Sequence, residues 1–478
     1  MMPNDTNNNK AGRNLWLLVV AASVSSLGGF LFGYDNIVIS GAIGYLTKSF
    51  NLDAAGVGWA AGCALVGCLA GSAGSGWLAD RIGLKKSLAI CAACFAGSSV
   101  GVFFSYSLNQ FVVWRMLGGV GIGAASILAP MYIAEIAPTR MRGRLVTLYQ
   151  LGIVLGILSA VYVNMLIQKG GTEEWNQAVG WKWMFMAGVV PAVLFAVAIV
   201  AALESPRWLM KAGRMDEGQE VLTRINGETI AIQETVSIRE ALVAEEGKFS
   251  ELFTSGFGRA LFLGVVLAGL TQTSGITPVF SYLPSIFEAA GTKTGDAFFQ
   301  SVLVSAINLV FTLVALWLVD KAGRRTLLLT GISIQVLAFS TVGLFYFMGG
   351  WPIGILVGVM AFVAGHAVGN GVVGWVILSE IFPTKLRGRA MSIATTSLWV
   401  FAFLGNLVFP VMQKAIGNHG AFWVFTFMAV VNVFFVLFFV PETKGHSLED
   451  IEKIFIEKQQ NMTFSNRLSP GMVESQER

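Results

Sequence analysis

"EIAPTRMRGR", Glu135–Arg144, returns as "EIFPTKLRGR", Glu380–Arg389, identical at seven of ten positions and shifted by 245 residues. Two further pairs share almost that shift. "LADRIGLKK" around Asp80 returns as "LVDKAGRR" around Asp320, 240 residues on, and "LESPR" around Glu204 has a partner in "PETKG" around Glu442, 238 residues on. Three motifs in one order at nearly one offset predict a duplicated chain of two similar halves.

Between these motifs the chain is apolar. Twelve segments stand out, roughly 15–46, 56–79, 87–106, 110–133, 145–167, 183–203, 260–287, 298–319, 326–348, 352–379, 390–413 and 420–440. Each is long enough to cross a hydrocarbon core of about 30 Å, which takes roughly 20 residues of helix. The composition agrees. Of 478 residues 55% are hydrophobic and 13% charged, with 55 glycines, against about a quarter charged in soluble proteins. Small residues let membrane helices approach closely. The expected fold is an all-α membrane protein of twelve transmembrane helices in two six-helix bundles. Its parts are a polar N-terminal tail (1–14), an N-terminal bundle (15–203), a cytoplasmic helical linker (204–258), a C-terminal bundle (259–441) and a cytoplasmic tail (442–478). Residues 1–12 are polar and read as disordered; no cleavable signal peptide is evident.

Loop charge gives the orientation. Arg81, Lys85, Lys86, Arg140, Arg142, Arg144, Lys321, Arg324, Arg325, Lys385, Arg387 and Arg389 all follow even-numbered spans. The positive-inside rule then places both termini and the linker in the cytoplasm, in a multi-pass protein of the cytoplasmic membrane. Basic residues scattered in short loops argue against nucleic acid as a partner. Cys91 and Cys94 form a C-x-x-C pair, but no second pair or histidine completes a metal site; helix packing is the expected role. No metal, no cofactor and no catalytic set is expected: neither a nucleophile–base pair nor a phosphate loop is present, so the chain does not read as an enzyme.

The repeated motifs put acids beside bases at the same helix ends. Asp80 with Arg81, Glu135 with Arg142 and Glu204 with Arg207 form one set; Asp320 with Arg324, Glu380 with Arg387, and Glu442 form the other. Anchoring would need only the bases. The acids suggest a cytoplasmic latch of ion pairs that closes while the outside is open and breaks when the inside opens.

Two charges lie inside spans. Asp35, in "GFLFGYDNIVISG", is the only charged residue between Arg13 and Lys48, and Arg115 stands alone in "VVWRMLGGVGIG". An ionised side chain in hydrocarbon costs roughly 2.5–3.5 kcal/mol on insertion scales. Each is the natural partner of the other.

Taken together, "GYDNIVISG", "GWLADRIGLKK", "PMYIAEIAPTRMRGR", "ESPRWLM", "SEIFPTKLRGR" and "PETKG" resemble the sugar porter family of the major facilitator superfamily, over about Leu15 to Asp450. The resemblance implies a monosaccharide (hexose or pentose) or polyol site between the halves. It also implies proton coupling, since proton-coupled members carry Asp at the position of Asp35 and passive glucose facilitators carry Asn. Paired with Arg115 the carboxylate is favoured; unpaired in an apolar setting the neutral acid is favoured. Opening of the pair would let Asp35 take a proton from outside, with Glu204 relaying it inward. The expected function is secondary active import of a sugar with a proton by alternating access. A passive facilitator of the same fold is the first rival and a membrane sugar sensor the second. Nothing in the sequence requires more than a monomer in the lipid bilayer.

By the same resemblance the sugar contacts map to Gln150, Gln272, Asn308, Trp375 and Trp399, with Phe32 one turn from Asp35 on the floor. Amides donate and accept, as sugar hydroxyls require, and aromatic rings cover C–H faces. The chain departs from the family pattern at Thr271, Thr277 and Ser281, where longer amides or Tyr are usual, and at "GHAVGNGVVGW" before Trp375. Thr277 remains a candidate contact. His366 and Asn370, one turn apart, have no counterpart in the pattern; helix–helix hydrogen bonding, sugar contact or titration are each open for them. Ile157 takes the facilitators' apolar residue where xylose porters carry a second Gln.

Overall fold

A computed structural model describes residues 5–137, 142–244, 257–382 and 387–444. Every regular element in it is helical. The N-terminal half comprises α1 (Asp5–Ile37), α2 (Ile39–Ser49), α3 (Ala54–Ile82), α4 (Leu84–Phe103), α5 (Leu108–Ile136), α6 (Arg142–Gly170), a short α7 (Glu173–Trp175), α8 (Trp181–Met186) and α9 (Val189–Ala201). The connecting stretch folds as α10 (Pro206–Lys211), α11 (Met215–Asn226) and α12 (Glu228–Ala244). The C-terminal half follows with α13 (Phe257–Thr273), α14 (Ile276–Ser281), α15 (Leu283–Ala289), α16 (Thr294–Ala322), α17 (Arg324–Phe347), α18 (Pro352–His366), α19 (Val373–Ile381) and α20 (Arg387–Phe439).

Among the described residues, eleven helical stretches are long and apolar enough to cross a membrane. The last, Arg389–Phe439, has 51 residues, or ~77 Å of helix at 1.5 Å per residue, enough for two crossings of a 30 Å core. It turns back at Gly417, whose φ of 74° and ψ of 169° are not helical. Counting both arms gives twelve crossings. Ahead of the first apolar run, α1 already starts at Asp5. The expected disorder of residues 1–12 therefore does not hold from Asp5 onward: no proline interrupts that stretch, and the helix of the first span propagates back through it.

The N-terminal half is locked by glycines. On α1 and α6, a Cβ at Gly29 or Gly33 would lie 2.1 or 2.0 Å from the carbonyl oxygen of Tyr149 or Ile153, and one at Gly152 or Gly156 would lie 2.2 or 2.1 Å from that of Ser26 or Phe30. The α3–α5 crossing repeats the device with Gly67 and Gly71 against Met116 and Val120, and Gly119 and Gly123 against Ala64 and Cys68. Each crossing is thus a reciprocal pair of G-x-x-x-G faces in backbone contact. Gly119→Val is expected to cost about 3 kcal/mol or more by overpacking, because its Cβ would stand 1.9 Å from the Ala64 carbonyl oxygen. Gly74→Ala, with nothing within 4 Å, should be neutral. Thermal unfolding of the two variants in detergent makes the comparison.

The C-terminal half is jointed within its seventh and tenth spans, as the N-terminal half is at Val38 in the first span and at the π-turn Asn176–Gly180 in the sixth. The seventh span breaks between α13 and α14 at Gly275, which takes φ 91°, and again at Tyr282 before Pro284. The tenth span carries a π-turn, Ala367–Gly371, between α18 and α19. Such π-turns concentrate at functional sites.

The halves meet at the end opposite the basic loops. Trp59 stacks edge-on against Phe403 at 6.0 Å between centroids. Asn406 Nδ2 donates across to the Ala61 carbonyl at 3.4 Å and, within its own half, to Ser281 Oγ at 3.0 Å; Tyr282 Oη, which donates to the Asn406 carbonyl at 3.0 Å in the same half, lies 3.5 Å from the Val57 carbonyl oxygen of the other. By contrast, Arg324–Asp320 (3.3 Å) and Arg324–Glu380 (3.2 Å), at the basic end, stay inside one half.

Candidate functional site

Asp35 and Arg115 do meet. Arg115 Nη1 donates to Asp35 Oδ1 at 2.9 Å, and Nη2 donates to the Asp35 backbone carbonyl at 3.0 Å. The second bond exists because α1 stops two residues later, at Ile37, which leaves carbonyls of its last turn without intrahelical partners. The pair is buried: Asp35 is 6% and Arg115 1% exposed. The guanidinium also lies over the Phe185 ring, 5.2 Å from its centroid. A pair this dry is weak evidence of net stabilisation, since desolvation offsets much of the attraction. Its electrostatic sensitivity is the more useful property.

Across the half interface, Phe32 of α1 packs on Trp399 of α20 at 5.7 Å between centroids. Trp399 is buried, and its indole N–H has no hydrogen-bond partner. Asn370 sits in the π-turn, 1% exposed, with neither amide atom bonded, and His366 Nδ1 at its start is also without a partner. Asn308 is buried on α16, which packs against α6, the helix that carries Gln150. Thr277 Oγ1 donates to Gln272 Oε1 at 2.6 Å across the Gly275 break. Thr271 donates back to the Leu267 carbonyl, so its hydroxyl hydrogen is committed within α13. Trp375 is 37% exposed and has no described contact with the other candidates. Ile157 packs beside Gly33, where its backbone N would lie 3.0 Å from a Cβ.

The charges at the basic end are arranged differently from the expected pairs. Glu204 Oε1 accepts the backbone N–H of Lys85 at 3.0 Å, the first turn of α4. Glu442 does the same for α17, accepting from the N–H groups of Arg324 (2.9 Å) and Arg325 (3.1 Å). Both acids cap helix N-termini, where orphan N–H groups and the helix dipole favour a carboxylate. Arg115 and Glu135 are 20 residues apart on α5, about 30 Å at 1.5 Å per residue. Glu204 lies at the Glu135 end, because its neighbour Ser205 donates to Glu135. That placement makes Glu204 a helix cap at the basic end, about 30 Å along α5 from the Asp35–Arg115 pair. Asp80 pairs with Lys211 of α10 at 2.8 Å instead of with Arg81, and Arg81 lies over the Trp77 ring. Arg207 belongs to α10. The side chains of Arg142 and Arg387 lie outside the described residues, as do Arg140 and Lys385.

For Glu442, burial works to raise the carboxyl, but four backbone N–H donors outweigh it and hold it below the usual range. Its contribution to stability is therefore full above the ordinary value near 4.5 and is lost as pH falls through the lower folded value. Glu442→Ala should cost about 1 kcal/mol at pH 7, as lost caps do, with the gap from wild type closing at strongly acidic pH. Thermal unfolding at several pH values measures both.

Two features were not singled out from the sequence. Asn406, in "FLGNLVF", knits the far end together, and a lone Asn in an apolar run was the available signal. The second is a crevice at that end lined by Ser40, Tyr45, Lys48, Glu173, Glu288 and Phe298, whose parts lie in four separate stretches.

The sugar (and other) transporter family model matches residues 21–455. The arabinose-proton symporter of Bacillus subtilis (strain 168) is 38% identical over 445 residues, covering 93% of this chain and 96% of that one. The D-xylose-proton symporter of Escherichia coli (strain K12) is 35% identical over 464 residues, covering 90% and 94%. Among solved structures, the partially occluded inward-open conformation of the xylose transporter XylE from E. coli superposes with a TM-score of 0.82 at 33% identity, covering 90% of this chain and 99% of that one. The duplicated helical halves, the buried ion pair and these likenesses lead to one conclusion: the chain belongs to the sugar transporter family of multi-pass membrane proteins, with the major facilitator fold.

Proposed function

We propose that the protein imports a monosaccharide, hexose or pentose, or a related polyol, together with a proton. The observation that carries this is the Asp35–Arg115 pair, the one described ion pair with both side chains under a tenth exposed. A carboxylate held by one arginine in a dry interface gains or loses that partner with its charge. Arabinose, xylose and galactose symporters among its relatives support the substrate class and the coupling. The unbonded polar atoms of Asn370, His366 and Trp399 offer donors and acceptors to sugar hydroxyls, and Phe32, stacked on Trp399 across the half interface, offers a ring. Gln150, Gln272, Thr277, Asn308 and Trp375 complete the proposed set.

In this reading the basic end faces the cytoplasm, with both termini, in the cytoplasmic membrane. The contacts of Trp59, Asn406 and Tyr282 between the halves then lie on the outer side. The within-half pairing of Arg324 suits the open state of a latch built from Asp80, Arg81, Glu135, Arg142, Arg207, Asp320, Arg324, Glu380, Arg387 and Glu442. A monomer suffices for every step. Uptake by proteoliposomes tests the reading, with labelled glucose, xylose, arabinose, galactose, fructose, fucose and inositol, each with and without an inward proton gradient. Gradient-dependent accumulation of one of them supports it. Equal equilibration in both conditions makes the protein a facilitator.

A further inference from the structure

Asp35 engages one carboxylate oxygen and leaves the other. Oδ1 accepts from Arg115, whereas Oδ2 is buried without a hydrogen-bond partner. On α4, Ser98 Oγ is also buried, 1% exposed at the residue, and also without a partner. That is unusual for a helical serine, which commonly donates to a carbonyl about one turn back. Ser72, Ser75 and Ser87 on α3 and α4 all do so.

The two unbonded oxygens border one spot. It is the side-chain position of Gly118 on α5, where a Cβ would lie 2.5 Å from Ser98 Oγ and 3.3 Å from Asp35 Oδ2. Glycine there keeps any side chain from standing between them. The other groups in electrostatic reach are few. Arg115 holds Oδ1; Cys63 on α3 gives its thiol to the Ala60 carbonyl at 3.4 Å, and Cys68 lies on the same helix; Tyr34, on the helix of Asp35, gives its hydroxyl to the Met184 carbonyl at 3.0 Å. None of them is placed as an acceptor for a proton on Oδ2.

We infer that Ser98 is the positioning residue for the coupling proton: its Oγ accepts the hydrogen bond from Asp35 Oδ2–H once Asp35 is protonated and has turned from Arg115. The inference rests on the symport reading. The proton comes from the aqueous phase and binds Oδ2; the Oδ1 bond to Arg115 Nη1 is released. The Ser98 hydroxyl proton turns to the Cys94 carbonyl, one turn earlier on α4, leaving a lone pair toward Asp35. In the paired state Ser98 borders Oδ2 yet makes no bond to it, so the contact belongs to the neutral acid. It is the neutral, proton-loaded state that Ser98 selects.

The test is the pH profile of gradient-driven uptake in proteoliposomes. Ser98→Ala should shift the half-maximal pH to the acid side by about one unit, a tenfold higher proton concentration. Gly118→Ala should shift it the same way with Ser98 intact, since its methyl displaces Oγ. Infrared difference spectra between acid and alkaline pH give a second readout that needs no transport. The protonated carboxyl C=O band that is absent from Asp35→Asn should move to higher frequency in Ser98→Ala, having lost its acceptor. An unmoved band, an unchanged profile or a shift to the alkaline side overturns the inference. If wild-type protein accumulates no sugar against a gradient, the symport reading itself has failed and the inference falls with it.

Discussion

Asp35→Asn is expected to bring the steady-state sugar ratio across a proteoliposome membrane down to unity. One charge moving through 100 mV supplies about 2.3 kcal/mol, which at about 1.36 kcal/mol per decade sustains roughly a fifty-fold gradient. Asparagine keeps an oxygen for Arg115 Nη1 and the backbone carbonyl that Nη2 uses. The site therefore stays built while its charge no longer changes. Downhill exchange of labelled sugar should persist, which separates loss of coupling from loss of fold. Accumulation by the variant equal to wild type would assign Asp35 to a static ion pair and leave the coupling proton elsewhere.

Arg115→Leu should be the most damaging single change to stability. It strands a buried carboxylate, and breaking one side of a buried pair costs about 3–5 kcal/mol. The Phe185 ring also loses its guanidinium. Two further results follow from the charge argument. The deficit should shrink as pH falls, because a neutral Asp35 carries no charge to desolvate. The double variant with Asp35→Asn should recover much of the loss, since no unpaired charge then remains. Unfolding midpoints at pH 8 and pH 5 for the four proteins of this cycle measure all three effects; equal deficits at both pH values would contradict the account.

Much of this molecule is readable in one dimension. The number of crossings follows from apolar run length, the two halves from the repeated motifs, and the Asp35–Arg115 pair from two isolated charges in hydrocarbon. What was not readable depends on which atoms meet. Glu204 and Arg207 are near in sequence, yet the Glu204 carboxylate spends itself on the N–H of Lys85, 119 positions away. Asp80 finds Lys211, 131 positions away, in preference to the adjacent Arg81. Ser98 sits in "AGSSVG" beside Ser99, and nothing in that string tells which hydroxyl lacks an acceptor. The breaks at Gly275 and in Ala367–Gly371 fall in short polar clusters, "TQTSG" and "GHAVGNG", within otherwise apolar runs, and hydropathy averaged over a whole span passes over them.

The glycine contacts of the N-terminal half bear on how the two halves divide their labour. Four helices held backbone to backbone cannot slide or part without losing the whole seam, and both Asp35 and Arg115 are mounted on them. The half with kinked seventh and tenth spans has a lesser seam of this kind, where a Cβ at Gly331 would lie 2.4 Å from the Gly365 carbonyl oxygen beside the π-turn. The two halves are thus braced unequally: two reciprocal glycine seams stiffen the half that carries Asp35 and Arg115, against one lesser seam in the other. In the symport reading the charge on Asp35 changes inside that braced frame, and the other half reaches the frame through side chains such as Trp399 against Phe32.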